Sequence, residues 1–152
     1  MARTVLFFTL ACLPVIMLAA EQPAEKVSVA QLLSTPEKFV GKRVDVTGYY
    51  RLQNEDSSLL ADERAAAQPW STDNCVWIDL EIWDPRYNPT RPANIADPDD
   101  VRGRMIRVRG TFRYHKIISA DLRTGRRAVL AYGHMGVWPR ALENITYLRP
   151  LR

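Results

Sequence analysis

Two stretches of this chain follow one pattern. Gly41–Arg51 reads GKRVDVTGYYR and Gly103–Arg113 reads GRMIRVRGTFR. Both satisfy G-[K/R]-x-[V/I]-x-V-x-G-x-[Y/F]-R. Strict alternation of apolar and polar positions describes a β-strand with one face in a core and one in water. In the first copy Val44, Val46, Tyr50 and Leu52 point inward and Arg43, Asp45, Thr47, Tyr49 and Arg51 outward. In the second, Ile106, Val108, Phe112 and Tyr114 point inward and Arg107, Arg109, Thr111 and Arg113 outward. Each copy also places a glycine, Gly48 or Gly110, on its inner face. A core-facing glycine weakens a strand unless the backbone bends there or another chain passes close, as happens at the corners of small barrels. Two such strands constrain the chain toward a closed β-barrel.

The N-terminus lies outside that domain. Arg3 precedes the apolar run Val5–Leu18, and the small residues Ala19 and Ala20 are followed by Glu21-Gln22-Pro23. This is the layout of a secretory signal peptide, too short and wrongly flanked for a stable span. The expected cut follows Ala20, with an uncleaved anchor as the alternative. Residues 21–26 then form a polar lead-in, and 27–152 one domain. Of the two cysteines only Cys75 survives such a cut, so no intramolecular disulfide is expected. Between Val76 and the end of a loop, Cys75 reads as a small buried residue. The net charge of +4 is too small to demand a polyanionic partner.

Ser28 and Gln31 have the spacing of a capping box ahead of a helix of about two turns that stops before Pro36. Asn54–Ser57 is a turn cluster and Ser58–Ala61 a short strand. Cys75–Ile82 is a further strand with Trp77, Asp79 and Glu81 outward. Four prolines between Asp84 and Asp100 make that segment a stiff surface loop. It closes on Asp97-Pro98, an acid cap and a proline suited to the first helical position. Leu142–Leu148 is the last strand, with Ile145 and either Tyr147 or Leu148 inward. The fold class is therefore all-β with little helix, a five-stranded OB-like barrel with a short N-terminal helix.

Residues 27–52 (VSVAQLLSTPEKFVGKRVDVTGYYRL), with RGTFRY at 109–114 and GHMGVWPRALENITYLRP at 133–150, resemble a group of small exported bacterial proteins. That group has no established activity, so the resemblance implies fold and compartment and supplies no catalytic residue.

No phosphate loop, nucleophile elbow, CxxC or HExxH is present in the sequence, and no cofactor or metal is expected. The candidate contact surface is the outer face of the first three strands of the barrel with the proline loop: Tyr49, Arg51, Trp77, Asp79 and Tyr87. His134 and Met135, bracketed by glycines, join it as residues that a loop could present. The expected role is a non-catalytic module periplasmic or secreted, binding an envelope protein or an oligosaccharide. A rival is a carbohydrate-acting hydrolase using Asp79 or Glu81 with His134, since alternate strand positions sit about 7 Å apart. A third reading, single-stranded nucleic acid on the arginine-rich strand, is disfavoured by export. The bland account of those arginines is an ion-pair lattice with Asp45.

Overall fold

The computed structural model describes residues 23–53, 56–80, 91–115, 132–133 and 136–151. Six strands are present among them: β1 (Glu25–Ser28), β2 (Arg43–Gln53), β3 (Asp56–Leu60), β4 (Cys75–Ile78), β5 (Arg104–Tyr114) and β6 (Arg140–Pro150). The sheet order is β1-β2-β3-β4-β6-β5, and an additional β2–β5 pairing closes β2, β3, β4, β6 and β5 into a ring. That is a five-stranded OB-like barrel with β1 added alongside β2. The last residues of the polar lead-in thus belong to the sheet: Glu25 and Lys26 pair in parallel with Val44 and Asp45.

The two sequence copies, β2 and β5, lie side by side and antiparallel. Val46 faces Val108, Gly48 faces Ile106 and Gly110 faces Val44, so each copy is turned onto the other about a local two-fold axis through the Val46–Val108 pair. Their glycines do the same work. A Cβ on Gly48 would lie 2.5 Å from the Leu60 carbonyl oxygen, and one on Gly110 would lie 2.7 Å from that of Glu143. Both distances are impossible for a real side chain, so the glycines let neighbouring strands cross. On β6 three residues, Asn144, Ile145 and Thr146, stand between the partners of Arg109 and Thr111. Asn144 takes φ +50° in this bulge. The bulge turns Ile145 and Leu148 inward and leaves Tyr147 on the outer face.

The barrel interior holds Val44, Val46, Tyr50, Leu59, Val76, Ile78, Ile106, Val108, Phe112, Leu142, Ile145 and Leu148. The Tyr50 hydroxyl is 3.1 Å from that of Ser57, which satisfies the polar end of a fully buried ring. Burial pushes the Tyr50 phenol up to about 12. Helix α1 (Val29–Ser34) adds Val29 and Leu32 to this core, with Ser28 and Gln31 forming the expected capping box. Helix α2 (Glu63–Ala66) is capped by Asp62, and α3 (Pro98–Val101) by Asp97. The proline segment is not wholly a surface loop. Ile95 bridges to Leu148 and is buried, because Asn94 and Ala96 exchange backbone hydrogen bonds with Leu148 there. The strand expected over Cys75–Ile82 is assigned as β4 only to Ile78, although Asp79 N–H still donates to the Leu142 carbonyl. Glu81, Ile82 and Tyr87 lie outside the described residues, as do His134 and Met135.

Candidate functional site

The outer face of the barrel has two halves, and Gly48 and Gly110 mark the seam. Up to Thr47, β2 pairs with β1; from Tyr49 onward it pairs with β3. Arg107 and Arg109 fall on one side of Gly110, and Thr111 and Arg113 on the other.

The second half of β2 leads to the surface expected from the sequence. Arg51, Ser58, Trp77, Ala141 and Arg113 align as one row across five strands. This surface is covered. Trp77 was expected to be in water and is only 6% exposed. Trp138 packs on it at 4.5 Å between ring centroids and meets the edge of Trp70 at 5.9 Å. Leu60, Cys75, Trp77, Trp138 and Ala141 form a second small core, with Tyr132, Val137, Ala65 and Ala66 at its margin. Tyr132 and Trp138 hold the cover by reciprocal backbone hydrogen bonds of 2.7 and 3.2 Å. Gly133 takes φ +78° and lies flat against both tryptophans, where a Cβ would meet Trp138 at 2.3 Å. Beneath, Cys75 is buried, and loss of water pushes its thiol up, which disfavours a reactive thiolate.

Arg51 is equally committed. Its Nε donates to Asp56 at 2.7 Å, with both side chains about one-tenth exposed, and Ser58 donates to the same carboxylate. Tyr49 is half-buried beside Gly103. Asp79 lines a cleft of about 130 Å³ with Trp77, Tyr132, Gly133 and Glu143. Glu143 is paired with Arg113 at 3.0 Å, and His115 stacks on Tyr132 at 5.0 Å. The structure therefore separates Arg51, fixed in an ion pair, from Trp77 and Asp79 beside the cleft. Among the described residues no group of three or more His, Cys, Asp or Glu is placed to hold a metal ion.

The other half is open. Two adjoining hollows of about 500 and 370 Å³ run along β2 and share Lys26, Asp45 and Arg107. The floor is Arg43, Asp45 and Thr47; one wall is Pro23, Ala24, Lys26, Val27 and Ser28 with Gln31, the other Arg107, Arg109 and, at one end, Leu151. Asp45 is the anchor of this surface. Arg107 donates through Nε at 2.7 Å and Nη2 at 2.6 Å, and Arg109 through Nε at 2.7 Å. These hydrogen bonds, Arg107's first, hold the Asp45 carboxyl below its usual range despite its burial. Both guanidiniums lie over the Tyr147 ring, at 5.8 and 5.0 Å, a favourable arrangement of cation and π-face. Arg43 extends the row by donating to Thr146 at 2.8 Å. The ion-pair lattice expected from the sequence is present, and it also shapes a groove. Lys26 and Tyr147 are the members sequence reasoning missed, one read as lead-in and the other as a core alternative.

No protein-family model, characterised protein or solved structure matches this chain. Strand order and closure carry the fold assignment. Among the described residues no helix is long and apolar enough to cross a membrane.

Proposed function

We propose that this chain is an exported, non-catalytic binding module of the cell envelope, using the basic groove along β2 to hold an anionic ligand. The observation that carries the reading is the contrast in cover. The aromatic face is filled by the chain's own Trp138, whereas Lys26, Arg43, Arg107 and Arg109 surround an open hollow floored by one acid. Among the described residues that line the hollows, Lys26, Arg107 and Arg109 stand against the one carboxylate of Asp45, which leaves a local positive field whatever the modest net charge, and such fields steer and retain anions. An acidic envelope protein or acidic oligosaccharide fits that field. Export rests on the Arg3, Val5–Leu18 and Ala19-Ala20 layout and on the resemblance of residues 27–52 to exported proteins.

Two measurements test the reading. Mass spectrometry of protein recovered from the extracytoplasmic fraction should give a chain starting at Glu21; retention in the cytoplasm refutes export. Binding of acidic peptides and oligosaccharides should fall steeply with salt and be lost in Arg107→Glu/Arg109→Glu, while neutral analogues should not bind. The hydrolase alternative has the Asp79–Glu143 cleft with its two aromatic walls in its favour. It requires a turnover that Asp79→Asn abolishes, and observing one would displace the binding-module reading. Single-stranded nucleic acid has less support: among the described residues lining the hollows none is aromatic, and the nearby Tyr147 ring is already covered by Arg107 and Arg109.

A further inference from the structure

Resting on that basic-groove reading, we infer that the ligand is an extended acidic peptide segment with carboxylates at alternate positions, lying along β2. The groove follows β2 from Arg43 to Thr47, about 13 Å of strand at roughly 3.3 Å per residue. That length matches four or five extended residues. Arg107 and Arg109 stand on the same face of β5, two positions apart, hence about 7 Å from each other along the strand. Side chains at i and i+2 of an extended peptide repeat at that same spacing.

Asp45 organises the donors without exhausting them. Arg109 gives it only Nε, and Arg107 gives Nε and Nη2. Among the described residues the terminal N–H groups of Arg109 and Nη1 of Arg107 have no hydrogen-bond partner. A guanidinium has five donors in a fixed fork, so each arginine keeps N–H groups for a second carboxylate. Stacking on Tyr147 holds both forks in place, so little freedom is lost on binding. Across the groove Lys26 lines both hollows and adds positive charge that favours an acidic segment there. At the far end half-exposed Leu151 borders the same hollow, which suits one apolar side chain after the acidic pair.

The test uses the full-length protein at low salt with three probes: an alternating Glu-Ser octapeptide, a block octapeptide of equal charge, Glu-Glu-Ser-Ser-Glu-Glu-Ser-Ser, in which no two acids stand two positions apart, and a linear oligomer of galacturonic acid. Calorimetric titration should show the alternating peptide bound at least about tenfold more tightly than the block peptide, the discrimination expected of one additional charge-assisted hydrogen-bonded pair. Arg109→Ala, which leaves Asp45 paired with Arg107, should erase that preference; Lys42→Ala, outside the groove, should not. Equal affinity for both peptides, or binding of the galacturonate oligomer alone, would overturn the peptide inference and leave the basic groove standing. Failure of all three probes to bind would remove the groove reading itself.

Discussion

Along β2, Gly48 separates two surfaces that share one backbone and differ in what lies over them. Beyond the glycine, Trp77 and its neighbours are sealed under Trp138. Before it, Asp45 is sealed by arginines whose own outer edges still face solvent. Apolar burial and charge pairing both hide a residue from water, but they leave different surfaces behind. A tryptophan lid ends the row with carbon, whereas guanidiniums end it with unspent donors. A binding surface is therefore sought where the barrel is closed by charge.

The sharpest way to break this division is at the seam. Gly48→Val places carbon against the Leu60 carbonyl and the Leu59 side chain, with no flexible neighbour to yield on the backbone side. A loss above about 4 kcal/mol is expected, enough to unfold a domain of this size; circular dichroism should show no cooperative transition. Trp138→Ala removes the lid alone. It should cost about 3–5 kcal/mol in urea melts and shift Trp77 emission to the red, with groove binding unchanged. If groove affinity falls equally, the two halves are coupled and the comparison fails.

Asp45→Asn acts on the open half and should cost about 1–3 kcal/mol, as expected for a buried charge-assisted pair. Its pH dependence has a definite sign. The folded Asp45 carboxyl is held below its ordinary value of 3.8, so its contribution is complete above pH 3.8 and is lost as pH falls below that. The stability gap between wild type and Asp45→Asn should be flat above pH 4 and close in more acid buffer. The smallest effect belongs to Lys42, whose 3.2 Å pair with Glu25 joins two half-exposed side chains. Lys42→Ala should change stability by less than about 1 kcal/mol and leave the groove intact.

The barrel was legible because its information is local. Alternation in Arg43–Arg51 and Arg104–Arg113 declares two-sided strands, and inner-face glycines declare crossings. Strand β1 was missed because only Val27 in it points inward, and four polar-flanked residues carry little periodicity. Ile95 was missed because the prolines around it obscured one apolar residue between Asn94 and Ala96. The cover over Trp77 was not legible at all. Period two says which way a side chain points, and nothing in it says that Trp138, far along the chain, will lie on top. For Tyr147 a signal existed: Asn144 is a residue type that tolerates positive φ, and the bulge it permits decides which neighbours face the core.

The local two-fold between β2 and β5 also bears on how strands choose partners. Near-copies of one strand can pair with themselves, and the shared [Val/Ile]-x-Val and glycine pattern would tolerate β5 against a second β5. About the same axis, such a pair would set Arg107 opposite Arg109 twice over, and like charges directly opposed repel. Two β2 strands would set Asp45 opposite Thr47 and forfeit the forked ion pair. Only the unlike pairing brings Asp45 across from Arg109. The single acid in this face thereby steers the chain to close on itself rather than on its neighbour.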